Sequence, residues 1–84
     1  MANFSVGDII EVEVSGIANY GIFTNADFEY KGLIHISEVS EHFVKSLFDY
    51  VSLGEHIICE ILEVDEVNKQ LKLSIKNINY KNKK

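Results

Sequence analysis

Tyr20, Phe23 and His35 are the residues best suited to chemistry here, and that chemistry is stacking against flat rings. Tyr20 and Phe23 flank Gly21 and Ile22, and His35 lies 12 positions after Phe23 inside an apolar run. Aliphatic residues are already available there to fill a core, so an outward aromatic ring or imidazole needs another explanation. Unpaired bases stack on such rings. The alternative is that these aromatics simply pack the core of a small domain.

The residue types that bind metals or catalyse reactions form no recognisable set. His56 and Cys59 are three positions apart, which places them on opposite faces of a strand, and no second pair completes a tetrahedral site with them. The sequence contains no nucleophile motif, no carboxylate pair at catalytic spacing and no glycine-rich phosphate loop. We therefore expect no metal, no cofactor and no enzymatic activity.

Charge is divided unevenly along the chain, which has a net charge of −5. All 13 acidic residues lie between positions 8 and 66, where two lysines leave that part with a charge of −11. Positions 67–84 hold the other six lysines and no acid. Because the acidic part repels a polyanion, we expect phosphate contacts from Lys69 and Lys72 at the basic end. The alternative is that these lysines form only a solvated edge.

Length and composition favour one small domain in a reducing compartment. Eighty-four residues leave no room for two cores. The single cysteine cannot form an internal disulfide, and neither a signal-peptide pattern nor a bilayer-length apolar run is present. We expect a cytoplasmic protein that does not enter a membrane.

Alternating apolar residues predict three strands that carry the candidate side chains. The first covers positions 10–14 and is closed by Gly16. The second, 21–25, points Phe23 outward, and the third, 31–36, does the same for His35. Strand parity places Tyr20 on the other side from Phe23, so we expect a bulge at Gly21 to bring both rings to one surface.

The second half of the chain predicts an irregular connection and two more strands. Between positions 37 and 52 the alternation is lost, and short helical turns are expected, the first capped by Ser37. Strands follow at 55–65, with a change of face near Ile61, and around Leu71 to Leu73. Five short strands favour an all-β, antiparallel Greek-key barrel, because closure removes their exposed edges.

Several motifs together resemble one known family. In chain order they are Gly7-Asp8-Ile9-Ile10, Gly16-Ile17, Tyr20-Gly21-Ile22-Phe23, Gly32-Leu33-Ile34-His35-Ile36-Ser37-Glu38, Gly54-Glu55, Val64-Asp65 and Leu71-Lys72-Leu73-Ser74. Over positions 6–76 their order and spacing resemble the S1 domain, an RNA-binding module with the oligonucleotide/oligosaccharide-binding (OB) fold. A chain of this size also resembles the small single-domain general stress proteins of bacteria.

The resemblance implies a barrel that binds single-stranded RNA across one face. It assigns RNA contacts to Tyr20, Phe23, His35 and Asp65. Many family members carry an arginine where this chain has Gln70, preceded by Lys69. Gln70 can hydrogen-bond a base or sugar but cannot neutralise a phosphate. Many members also carry lysines where this chain has Glu13 and Glu60, and these differences predict weaker binding.

We therefore expect an RNA-binding module acting in translation, RNA decay or the stress response. Its predicted partners are single-stranded RNA and the ribosome or RNA-processing enzymes, and we expect a monomer. The domain should cover residues 1–76, and residues 77–84 should form a polar basic tail that frays. The alternative is a protein-interaction module that uses its acidic face to bind a basic ribosomal or enzyme partner.

Overall fold

The computed structural model of the protein describes residues 4–27 and 29–81, and within them five strands close into a barrel. The strands are β1 (Ile9–Ala18), β2 (Gly21–Asn25), β3 (Lys31–His35), β4 (His56–Asp65) and β5 (Gln70–Ser74). Short 3-10 turns at Ile36–Glu38 and Leu47–Asp49 lie in the connection between β3 and β4. The predicted barrel and its helical turns are confirmed.

The order of strands around the barrel is β1-β2-β3-β5-β4. Neighbouring strands run antiparallel except β3 and β5, which run parallel from Lys31 opposite Gln70 to Ile34 opposite Leu73. A closed ring with an odd number of strands cannot alternate direction throughout, so one neighbouring pair must be parallel. The prediction of a wholly antiparallel sheet is corrected at this one pairing.

Inward-facing aliphatic side chains from all the strands fill the barrel. The buried strand residues include Val12, Val14, Ile22, Ile34, Ile57, Cys59, Ile61, Leu71 and Leu73. Burying each large aliphatic side chain contributes about 1.5–3 kcal/mol. Burial also raises the pKa of the Cys59 thiol to about 12, so this sulfur stays protonated and unreactive at neutral pH.

The predicted bulge at Gly21 is wrong, and the irregularity lies in β1 instead. All positions of β2 from Gly21 to Asn25 pair in regular register with β3. The shift falls between Val14 and Gly16, so Ser15 is the extra residue and β1 continues past the glycine that was expected to end it. The predicted change of face in β4 is confirmed as a register shift between Ile61 and Glu63.

The segment Asn77–Lys81, predicted to fray, instead packs along β4. The Ile58 backbone N–H donates to the Tyr80 carbonyl at 2.8 Å, and the Tyr80 hydroxyl donates to the Tyr50 carbonyl at 3.0 Å. Lys81 Nζ donates to Glu55 Oε2 at 2.9 Å. These bonds cover the part of the β4 edge that β5 does not reach. The remaining tail, 82–84, lies outside the described residues, and the domain boundary at residue 76 stays a prediction.

Gly32 lies in a closely packed part of the barrel wall. A Cβ added there would lie 2.6 Å from Thr24 Oγ1 and would also meet Leu73 Cδ1, so side chains from β2 and β5 both lean over this glycine. The motif therefore needs glycine at this position for packing.

Replacing Gly32 with alanine should destabilise the protein by about 1–3 kcal/mol, because the added methyl overpacks the barrel interior. Urea unfolding measures the effect. Gly16→Ala is the matched control, since a Cβ there would lie 3.4 Å from the Phe23 ring, an ordinary contact. Equal stability losses in both variants would contradict the packing role of Gly32.

The ion pair of the C-terminal segment predicts a pH dependence. Hydrogen bonding from Lys81 lowers the pKa of Glu55 below its ordinary 4.5, and Glu55 raises the pKa of Lys81 above 10.5. Because folding lowers the pKa of Glu55, its contribution to the free energy of unfolding is complete above pH 4.5 and is lost as the pH falls through the lowered pKa. Because folding raises the pKa of Lys81, its contribution is complete below pH 10.5 and is lost as the pH rises through the raised pKa. The pair therefore stabilises the fold fully between pH 4.5 and pH 10.5.

Lys81→Met should therefore lower Tm at pH 7, and the difference from the parent protein should shrink at pH 3, because falling pH progressively protonates Glu55 and removes the stability that its lowered pKa contributes. Thermal unfolding followed by circular dichroism measures both. Lys45→Met is the charge-matched control, because Lys45 has no carboxylate partner within 4.0 Å in the described part of the chain. An equal difference at both pH values would show that Lys81 acts through packing.

Candidate nucleic-acid interface

The outer surfaces of β2, β3 and β5 form one continuous face, which we call the β2–β3–β5 face. It carries Tyr20, Phe23, Leu33, His35, Gln70 and Lys72. Register places Phe23 opposite Leu33 and Leu33 opposite Lys72, so these side chains form a row across adjacent strands. Neighbouring strands lie about 4.8 Å apart, so the row spans about 10 Å.

Tyr20 and Phe23 form an aromatic pair at one side of this row. Their ring centroids lie 5.8 Å apart, and the planes meet at 88° in an edge-to-face arrangement. Tyr20 is 53% exposed and Phe23 is 38% exposed. Tyr20 lies in the turn before β2, so strand parity does not apply to it, and both rings reach the same surface without a bulge at Gly21.

Phe23 is held in place by a glycine on the neighbouring strand. It pairs with Gly16 of β1, where a Cβ would lie 3.4 Å from the Phe23 ring. The bulge at Ser15 sets this register. One side of the phenyl ring therefore packs on backbone while the other remains accessible to a ligand.

His35 ends β3 directly opposite Gly21 and caps the first 3-10 turn. The Ser37 backbone N–H donates to His35 Nδ1 at 3.1 Å, and Ser37 Oγ lies 2.8 Å from the same nitrogen. A backbone N–H can only donate, so Nδ1 carries no hydrogen and the neutral ring bears it on Nε2. The predicted cap, Ser37, is therefore replaced by His35, whose exposed ring keeps a donor for a partner.

A shallow depression of about 440 Å³ continues the β2–β3–β5 face toward β4. Its lining combines apolar and polar residues: Leu33, Glu63, Val64, Asp65, Glu66, Gln70, Leu71 and Lys72. Lys72 Nζ lies 3.0 Å from Glu63 Oε1, and register places these residues opposite each other on β5 and β4. The depression therefore has an apolar base and a rim of amide and charged groups.

Asp65 organises the turn between β4 and β5. The backbone N–H groups of Val67 and Asn68 donate to its Oδ1, each at 3.1 Å, and Asn68 Nδ2 donates to Oδ2 at 2.9 Å. Donation from the Asn68 side chain, followed by the backbone N–H groups, holds the pKa of Asp65 below its usual range. Lys69 completes the turn in the left-handed region, with φ of 57°.

Lys69 is directed away from the aromatic pair. Its Nζ lies 5.3 Å from the Tyr30 ring centroid and 3.8 Å from Glu29 Oε1, in the connection between β2 and β3. Gln70 pairs with Lys31 at the same end of the barrel, four residues along the strands from His35. These predicted residues thus separate into two ends. Tyr20, Phe23 and His35 form an aromatic end, and Lys69 and Gln70 lie at a polar end.

The structure also exposes residues that the sequence pattern did not single out as sites. Leu33 lies between Phe23 and Lys72, and its outward parity was the available signal. Phe43 is 89% exposed and Phe48 is 66% exposed, in the connection between β3 and β4. Neither belongs to the β2–β3–β5 face. Within residues 4–27 and 29–81, no cluster of three or more potential metal ligands occurs.

Comparison with known proteins identifies the family to which this geometry belongs. The sequence profile of the S1 RNA binding domain matches residues 3–76. The chain belongs to the S1 RNA-binding domain family. General stress protein 13 of Bacillus subtilis is 40% identical over 75 residues, covering 89% of this chain and 58% of that protein. Its solution structure superimposes with a TM-score of 0.84 at 39% identity, over 88% of this chain and 57% of that one.

In two more relatives, the region that matches this chain is part of a longer protein chain. Small ribosomal subunit protein bS1 of Staphylococcus saprophyticus is 38% identical over 77 residues, which cover 92% of this chain and 19% of the relative. A chain in the crystal structure of the a/eIF2alpha–aDim2p–rRNA complex from Pyrococcus horikoshii has a TM-score of 0.85 at 26% identity, over 93% of this chain and 48% of that one. This chain thus spans less than two thirds of each of these relatives.

Among the residues that the structure describes, no helix is both long and apolar enough to cross a bilayer.

His35→Ala should lower stability by about 0.5–2 kcal/mol, the usual cost of losing an N-cap acceptor. His35→Asn should restore most of it, because the amide oxygen can accept from the Ser37 N–H, but it lacks the imidazole ring. Urea unfolding of both variants measures this. If His35→Asn is as unstable as His35→Ala, the capping role assigned to the imidazole is wrong.

Proposed function

We propose that this domain binds single-stranded RNA on its β2–β3–β5 face, with bases stacked on Tyr20 and Phe23. The observation that carries the proposal is the exposed edge-to-face pair that these rings form beside His35. Two rings whose planes meet at 88° offer surfaces in different directions, so successive bases can contact one ring each. Membership of an RNA-binding domain family supports the same function.

Polar groups around the rings would hold the rest of the nucleotide. His35 Nε2–H is a donor for a base or phosphate oxygen, and the Gln70 amide can bond a base edge or a ribose hydroxyl. Lys72 lies in the same row across the strands as Phe23 and Leu33, so we assign it the phosphate contact. Lys69 would contact the RNA strand at the polar end of the site, away from the aromatic pair. We propose that Asp65 acts indirectly, by holding the turn that presents Lys69 and Gln70.

The domain would act as a binding module without chemistry of its own. Relatives named as a general stress protein and a ribosomal protein support a role in translation or the stress response, and a role in RNA decay stays a prediction. The ribosome and RNA-processing enzymes are therefore the proposed assemblies in which it works. Cytoplasmic location and the monomeric state stay predictions.

A second candidate function is binding of a basic protein partner. A second depression, of about 680 Å³, is lined by residues of β1, of β4 and of the hairpin that joins β2 to β3: Glu11, Val12, Glu13, Asn25, Ala26, Asp27, Lys31 and His56. Carboxylates outnumber cations there, which suits lysine or arginine side chains. An NMR titration with poly-U and, separately, with an arginine-rich peptide separates the two functions. Shifts at Phe23 and His35 with RNA support the first, and shifts confined to Glu11 and Glu13 with peptide support the second.

Tyr20→Ala and Phe23→Ala should each weaken poly-U binding about 5- to 150-fold, since a stacked base contributes about 1–3 kcal/mol. Fluorescence anisotropy with labelled oligo-U at low salt measures the affinities. Phe48→Ala is the matched control, because it removes an exposed aromatic ring outside the β2–β3–β5 face. Parent-like affinity in a folded Tyr20→Ala/Phe23→Ala double variant would eliminate the stacking site.

A further inference from the structure

Folding brings every described lysine after Val67 close to a carboxylate from another part of the chain. The pairs are Lys69–Glu29, Lys72–Glu63, Lys76–Glu38 and Lys81–Glu55, with separations of 3.8, 3.0, 3.8 and 2.9 Å. The positive charge of these four lysines is therefore offset by neighbouring acids in the folded domain. A phosphate approaching any of these lysines meets an acid beside it.

The Lys72–Glu63 pair differs from the others in its position. Lys72 lies opposite Leu33, which in turn lies opposite Phe23, so the pair continues the row of the β2–β3–β5 face. Register sets Glu63 directly across from Lys72 on β4. Both side chains are largely exposed, at 73% and 64%, so water and a ligand can reach the pair.

We propose that Glu63 limits the affinity of this face for RNA by competing with phosphate for Lys72. The inference rests on the proposed RNA-binding function and deepens it. In the free protein Lys72 is bound to Glu63, and an RNA phosphate must displace the carboxylate before it gains the contact. Glu63 then remains beside the phosphate and repels it. Glu63 thus lowers both the affinity and the number of phosphates that the domain neutralises.

The small free energy of an exposed ion pair means that Glu63 would compete with RNA for Lys72 without preventing binding. Exposed ion pairs are weak and readily exchanged, so Glu63 reduces binding without preventing it. Removing it should tighten binding about two- to fivefold at low salt. For single strands, each phosphate neutralised adds about 0.7 to the slope of log affinity against log salt. Freeing Lys72 should therefore steepen the slope by up to that amount.

Glu63→Gln is the decisive variant, because it keeps the size and hydrogen-bonding capacity of the side chain and removes its charge. Glu66→Gln is the matched control: Glu66 lines the same depression, and no lysine nitrogen lies within 4.0 Å of it in the part of the chain that the structure describes. Oligo-U affinity is measured by fluorescence anisotropy across a salt series. We expect tighter binding and a steeper slope for Glu63→Gln, and a smaller gain with an unchanged slope for Glu66→Gln.

A double-mutant cycle tests whether the gain acts through Lys72. Lys72→Gln should weaken the parent protein slightly, and Glu63→Gln should give little improvement once Lys72 is absent. Equal gains from Glu63→Gln and Glu66→Gln, or the same Glu63→Gln gain with and without Lys72, would overturn the proposal in favour of a general charge effect.

Failure of this inference is distinguishable from failure of the proposed function. If Phe23→Ala weakens binding as expected and Glu63→Gln changes nothing, RNA binding stands and the competition is wrong. If neither the parent protein nor Glu63→Gln binds oligo-U at low salt, the RNA-binding function itself is wrong. Circular dichroism of each variant confirms that the barrel is folded in every comparison.

Discussion

The register between neighbouring strands is the constraint on which this domain depends. Closing the sheet requires every strand to pair on both sides, and the bulge at Ser15 and the shift between Ile61 and Glu63 adjust the ladder so that the ring can close. The same register decides which outward side chains become neighbours. Phe23, Leu33 and Lys72 form a row only because β2, β3 and β5 pair as they do.

Structural roles overlap with the proposed RNA-binding role in His35 and Asp65. His35 uses one ring nitrogen to cap a 3-10 turn and leaves the other exposed. Both carboxylate oxygens of Asp65 accept hydrogen bonds from the turn that precedes Gln70. Such sharing fixes the geometry of a site before a ligand arrives, which reduces the ordering cost of binding. It also means that a loss of binding in a variant has to be separated from a loss of stability.

The sequence predicts the barrel and its core well because both follow from local alternation. Ile22, Ile34, Leu71 and Leu73 are buried as their parity indicates. Features that depend on pairing between distant segments could not be read in this way. The bulge lies at Ser15 rather than Gly21, and Lys76 and Lys81 are paired with acids far away in sequence, Glu38 and Glu55. Both outcomes depend on cross-strand partners, which periodicity does not specify.

The parallel pairing of β3 with β5 has a consequence for how the molecule is made. It joins Lys31 to Gln70, which are 39 positions apart, so the ring closes through a contact of high sequence separation. Translation proceeds from the N-terminus, and β5 is the last of these five strands to leave the ribosome. A nascent chain that stops before β5 lacks both the closing strand and Lys72. Closure of the barrel and completion of its outer face therefore both wait for β5.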